Sequence, residues 1–322
     1  MNFFIPRTTF QIAKSDGADA KSHREFASVM IAAMEAACDH YGGNLREIDP
    51  FTPTLLMMEA EWAELRMPYY NLWPSIIPAL TKLRLDVDAS HFKLPVSPLL
   101  IRFPSTVPHP LRWSCDGQEW VVQTLLVDDQ PVRMCEKLRH RHPDLPNGSD
   151  VPALSFFVDI DEPVEGNEMF RQKLYKHCLT LPGWSIERSF SEIPGHSSAD
   201  SGVQYPDHIV QDLARIVCTL CLMADDPQLV VPDVLSKDKQ KFAESRDSRL
   251  VAKAHNRGKV GWNVGADIEV SPHYRNASPA ALYWTGQGRK VPRIRFRKGC
   301  FVHRQRMSSV PTGYLLPQGE KR

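Results

Sequence analysis

Proline most constrains what this chain can fold into: 26 of its 322 residues are prolines. Each one fixes φ and lacks a backbone N–H, so it breaks helices and is kept out of central strands. The chain is therefore cut into short elements, and long helical arrays are excluded. With 42% apolar and 24% charged residues, those elements have enough material for a substantial core, as one large domain or two ordinary ones. No repeat of about 20 to 50 residues runs through the chain, which sets solenoids aside.

The pattern between prolines gives the fold class. Over residues 23–41, Phe26, Met30, Ala33, Met34 and Ala37 recur at helical spacing and stop at Gly42-Gly43, predicting an amphipathic helix. Thr52 and Pro53 read as the N-cap and first turn of a second helix reaching Leu65, and a third is predicted over 75–83, shortened by Pro78. From Pro95 onward, 99–103, 120–127 and 154–160 are short runs rich in branched and aromatic residues, the pattern of strands in one sheet. A helix is predicted over 167–179, and another over 206–223 with Ile209, Leu213, Ile216, Val217 and Leu220 on one face. Strands resume near Val260.

The expected class is α+β: a helical N-terminal part, a central mixed or antiparallel sheet, then a C-terminal helix and a basic β-rich segment. The composition of SEIPGHSSADSG, from Ser191 to Gly202, is that of a linker or long surface loop. The expected organisation is 1–190, a linker at 191–204, and 205–322.

The opening MNFFIPRTTFQIAKS has no basic start and its apolar run ends at Pro6, and no later segment offers a continuous apolar span. Seven cysteines at irregular positions fit reduced thiols better than a disulfide framework. A soluble, cytoplasmic protein without a membrane partner is expected.

The net charge of +1 hides a polar distribution. Residues 253–306 contain twelve Lys or Arg against two acids, a net of +10, so the rest sums to −9. Such a basic end suits phosphate or an acidic peptide.

Several motifs invite chemistry and have blander explanations. Cys218 and Cys221 form a CxxC, but inside an apolar helix, without a second pair, they read as core thiols and not as a redox or zinc site. His140 and His142 are flanked by Arg139 and Arg141, which oppose a bound cation, so a solvated basic turn is the better reading. Asp159 and Asp161 would share one face of a strand, where paired carboxylates hold magnesium in nucleases; DxD is common, and an exposed strand face or end is favoured. No phosphate loop, GxSxG elbow, HExxH or dinucleotide fingerprint is present, and no cofactor is expected.

The segment 271–303 is more specific. In RIRFR, a strand would turn Arg293, Arg295 and Arg297 to one face and Ile294 and Phe296 to the other. Such a row grips phosphates or carboxylates, although a solvated face accounts for it equally well. Tyr283 and Trp284, followed by Gly286 and Gly288, read as an aromatic platform beside a turn or as two core rings. His273 and Arg275 supply donors or, in an RNase-like site, an acid/base and a charge stabiliser.

Taken in order, Pro272-His273-Tyr274-Arg275, Tyr283-Trp284-Thr285-Gly286-Gln287-Gly288, Arg293-Ile294-Arg295-Phe296 and Phe301-Val302 resemble the C-terminal signature of a family carried by phages and plasmids. Its best-known member is a type V-A anti-CRISPR protein that suppresses production of its target nuclease. The match covers roughly the last fifth of the chain, and the helix at 206–223 sits where the family has a similar one.

The resemblance implies an inhibitor that recognises the nascent N-terminal peptide of a host defence nuclease, a type V CRISPR nuclease in the known case, and causes loss of its mRNA in the bacterial cytoplasm. Ribosomal RNA or message is a further partner for the basic face, and a sheet edge suits an extended peptide. His273, Arg275, Tyr283, Trp284, Arg293, Arg295 and Arg297 form the implied recognition surface, Arg297 being outside the signature. Family members commonly carry a His-Trp-His cluster after the first element, where this chain has Ser278-Pro279-Ala280. That departure favours recognition over catalysis. The alternatives are a metal-independent ribonuclease, with His273 as acid/base and Arg275, Arg293 or Arg295 as stabiliser, and a general RNA-binding module using the arginine row and the Tyr-Trp pair.

Overall fold

The computed structural model describes residues 3–45, 49, 51–74, 76–81, 88–105, 111–115, 118–134, 143–146, 148–160, 173–191, 206–223, 230–233 and 261–265, and three short strands at 282–284, 292–294 and 314–315. Their architecture is α+β, with helices concentrated at the N-terminus and a mixed central sheet.

Three helices open the chain: α1 (Thr9–Ser15), α2 (His23–His40) and α3 (Phe51–Glu64). A capping box starts α1, in which the Thr8 side chain accepts the Gln11 N–H and the Gln11 side chain accepts the Thr8 N–H. Ser22 caps α2 by accepting the Glu25 N–H. The cap of α3 differs from the expected Thr52. Asp49 Oδ1 accepts the N–H groups of Phe51 and Thr52, each at 3.0 Å, because a carboxylate at a helix start satisfies two orphan donors and complements the dipole.

Strand β1 (Tyr69–Leu72), short helix α4 (Ile77–Leu80), β2 (Leu99–Arg102), β3 (Arg112–Cys115) and β4 (Gln118–Asp128) follow. Then come the pair β5 (Val132–Arg133) and β6 (Asp150–Val151), β7 (Ala153–Ile160), β8 (Lys173–Leu179), α5 (Ile186–Ser191), α6 (Asp207–Met223), β9 (Val230–Pro232) and β10 (Gly261–Val264). An eight-stranded sheet runs β8-β7-β4-β2-β1-β10-β9, with β3 paired to the first part of β4. Strand β1 is parallel to both β2 and β10, and the other pairings are antiparallel.

The helix expected over 167–179 is corrected: 173–179 is strand β8, antiparallel to β7 from Ala153↔Leu179 to Asp159↔Lys173. Its residues alternate, Cys178 entering the main core while Tyr175 packs on the opposite face with Phe157. Pairing with a long neighbouring strand overrode a local pattern compatible with either state.

Each face of the sheet is covered. On one, Tyr70, Leu72, Ile101, Leu125, Phe156, Val158 and Trp262 meet Ile77 and Leu80 of α4, Phe190 of α5 and Ile209, Leu213, Ile216, Val217 and Leu220 of α6. Burying each such side chain contributes about 1.5–3 kcal/mol. On the other, Met58 and Trp62 of α3 cover Leu100, Leu126 and Phe157, while Leu56 and Ala60 on the far side of α3 pack against α1 and α2. One core therefore contains strands and helices from both sides of the 191–204 segment, of which 192–204 lie outside the described residues. Among the described residues no helix is long and apolar enough to cross a membrane.

Candidate functional site

Two short strands lie within the signature segment, and a third follows it. Strand β11 (Leu282–Trp284) pairs antiparallel with β12 (Pro292–Ile294) and parallel with β13 (Tyr314–Leu315). Tyr283 stands opposite Arg293 and Trp284 opposite Pro292. The aromatic and arginine elements of the signature, nine residues apart in sequence, are thus brought onto adjacent strands. His273, Arg275, Arg295 and Arg297 lie outside the described residues, as do His140, His142 and Asp161.

Other motifs have structural roles. The exposed strand face expected for Asp159 is corrected: it is buried in β7 and accepts a 2.7 Å hydrogen bond from Thr124 Oγ1. Cys218 is buried in α6 and Cys221 packs against the same core. Burial raises both thiols, with Cys178 beside Cys218 adding to the effect, which disfavours the reactive thiolate form. Among the described residues no group of three or more His, Cys, Asp or Glu is placed to hold a metal.

A site the sequence reading missed lies on the sheet face shared with α3. Beyond the apolar row Phe157, Leu126 and Leu100, the next inward-facing row is polar: Asp159, Thr124, Arg102, Asn71 and Asn263 stand opposite one another across five strands. Arg102, Asn71 and Asn263 sit at or near the carboxyl ends of three adjacent parallel strands, the position where open α/β sheets bind ligands.

Asp233, directly after β9, is the hub. Its backbone N–H donates to Gly261 O at 2.7 Å, fixing it beside β10. Its Oδ2 accepts Tyr69 OH at 2.9 Å and Asn71 Nδ2 at 3.0 Å, and its Oδ1 accepts Asn263 Nδ2 at 3.2 Å. Asn263 Oδ1 accepts from Asn71 Nδ2 at 3.1 Å and Trp73 Nε1 at 3.3 Å. The Arg102 guanidinium lies 4.7 Å from the Tyr69 ring centre, and its Nε donates to Phe4 O at 2.8 Å. The Phe3 ring meets Trp73 edge-on at 6.0 Å.

Electrostatics follow from this half-buried setting. Burial first, then the bond to Asp233, pushes the Tyr69 hydroxyl up to about 12, so it remains a donor at neutral pH. Burial lowers the Arg102 guanidinium, yet arginine stays charged. A sequence signal for the site exists in retrospect: Tyr70-Asn71-Leu72 and Trp262-Asn263-Val264 are the same aromatic-Asn-aliphatic triplet, and the parallel pairing aligns them residue for residue.

No protein-family model matches the chain, and no curated protein does. Among solved structures, the crystal structure of AcrVA2 is similar to this chain with a TM-score of 0.44 and 16% sequence identity, covering 78% of this chain and 77% of that one.

Proposed function

We propose that this chain is an anti-CRISPR-like inhibitor that binds a specific polypeptide, the nascent N-terminal peptide of a host defence nuclease, and lowers that nuclease's expression through loss of its mRNA. The observation that carries the reading is the ordered signature from Pro272 to Val302. The opposition of Tyr283 and Arg293 on paired strands supports it, since it brings two signature elements together on one small sheet. Positive charge over 253–306 favours an acidic peptide or nearby ribosomal RNA and message. The absent His-Trp-His cluster weighs against intrinsic ribonuclease activity.

The test is capture during translation. A tagged chain expressed in a bacterial host is purified with its ribosomes, and the attached messages are sequenced. Strong enrichment of one message, reduced about tenfold by Arg293→Glu or Tyr283→Ala, is expected. Enrichment of no particular message refutes the proposal, and cleavage of labelled RNA by the purified chain in EDTA would replace it with the ribonuclease reading.

A further inference from the structure

Helix α2 has an outward face that does not suit solvent. Its inward face, with Phe26, Ala27, Met30 and Ile31, packs with Leu56 and Ala60 of α3 and Ala13 of α1. On the other side Val29, Ala32, Ala33, Ala36 and Ala37 are all exposed, Val29 to 61%. The solvent face of a helix normally carries charge, yet between Glu25 and Asp39 the only charged residue is Glu35. Tyr41, directly after the helix, is 85% exposed, and its ring stands edge-on to His40 at 5.2 Å. The apolar strip thus begins at an acid, Glu25, and ends at a basic residue, His40.

That strip is complementary to itself. When two α2 helices lie antiparallel about a two-fold axis between Ala32 and Ala33, Glu25 of each copy faces His40 of the other. In the same register Val29 faces Ala36, so the one bulky residue of the strip meets a small one, and Ala32 faces Ala33. Tyr41 comes level with Arg24, a cation held by Glu64 of α3, at a spacing that suits a cation–π contact. Opposed helix dipoles favour the same arrangement. A parallel pair would instead set Glu25 against Glu25 and Val29 against Val29.

We infer that α2 is the surface through which two copies of this chain associate, as an antiparallel helix pair centred on Ala32 and Ala33. Charge sets other occupants aside. The strip is bordered by Glu25, Glu35 and Asp39, and residues 25–40 contain no Lys or Arg, whereas helices that lie on anionic lipid carry both and nucleic acid requires cations. Size sets the strength. The 18 residues of α2 span about 27 Å, and a single helix pair of that length falls at the low end of specific interfaces, near about 1,200 Å². The dimer is therefore reversible, with a dissociation constant in the micromolar range.

The test is sedimentation equilibrium of the full chain across about 1 µM to 1 mM. A monomer–dimer equilibrium is expected, and Ala32→Glu, which brings two carboxylates together at the axis, should weaken it at least about tenfold. The register is tested by oxidative cross-linking against the unsubstituted chain. Ala32 lies beside its own counterpart across the axis, so Ala32→Cys should give a disulfide-linked dimer. Ala36 is displaced from its counterpart by about 10 Å along the helix, beyond the roughly 7 Å that a disulfide spans, so Ala36→Cys should not. Should Ala32→Glu lower the melting temperature of the dilute monomer, the cysteine pair decides alone. A chain that stays monomeric throughout, a dimer that persists in a stably folded Ala32→Glu, or equal cross-linking by the two cysteine variants overturns the inference.

Discussion

Replacing Gly261 by alanine tests the architecture of the polar cluster with a single methyl group. Gly261 stands opposite Tyr69 in the parallel pair β1–β10, and the Tyr69 ring crosses the space a side chain would fill. An added Cβ would lie 2.7 Å from Tyr69 Cε2 and nearer still to its Cζ and hydroxyl oxygen, inside any real carbon contact. The ring must swing away, losing its bond to Asp233 and its stacking under Arg102. A hydrogen bond to a charged group contributes about 1.5–3 kcal/mol and a half-exposed cation–π contact about 0.5–1 kcal/mol. The expected destabilisation is therefore about 2–4 kcal/mol. At about 2 °C per kcal/mol for a chain of this size, the melting temperature should fall by about 4–8 °C.

The assay is a double-mutant cycle by urea unfolding with Tyr69→Ala. With the ring gone, Gly261→Ala should change sign, because alanine is about 0.5–1 kcal/mol better than glycine inside a strand. The coupling between the two positions should then exceed about 2 kcal/mol. Equal destabilisation in both backgrounds would refute the argument, since it would show that the methyl group conflicts with something other than Tyr69.

Two further outcomes are expected. Leu213 of α6 is fully buried in the core shared with the sheet, so Leu213→Ala should cost about 2–5 kcal/mol and shift a single urea transition, whereas a separate transition for α6 would show that the helix folds apart from the sheet. The Tyr69 hydroxyl is raised by burial and by Asp233 to about 12, above the ordinary tyrosine value, so its contribution to stability is complete below about pH 10 and is lost as pH rises toward 12. Burial also raises the Tyr175 hydroxyl, so ultraviolet titration should show more than one late tyrosinate and Tyr69→Phe should remove one of them; an unchanged late amplitude in that variant would assign the shift elsewhere.

Where local pattern and tertiary demand agree, the elements were legible. Helix α6 shows its five core residues at helical spacing, and β2, β4 and β7 show their branched and aromatic runs, all because burial on one face imposes a period that survives in the sequence. Strand β1 escaped notice because Tyr69–Leu72 is too short to display alternation and is surrounded by helix-like sequence. Strand β8 was misread because KLYKHCL satisfies both periods until β7 supplies a partner. Of the implied recognition residues, Tyr283, Trp284 and Arg293 fall on paired strands. The Asp233 cluster was not anticipated, since its members come from β1, the end of β2, the end of β9 and β10, and no local spacing links them.

By itself the sequence determined the α+β class, the main helices, the core character of the CxxC and the order of residues that suggests an inhibitor. Each of these depends on neighbours along the chain, through periodicity, capping or motif order. Only the tertiary structure decided that β1 lies between two parallel strands, that α6 shares a core with the sheet, and that two distant aromatic-Asn-aliphatic triplets align around Asp233. The physical reason is that strand pairing joins residues more than 150 positions apart, and such register is set by packing of the whole sheet.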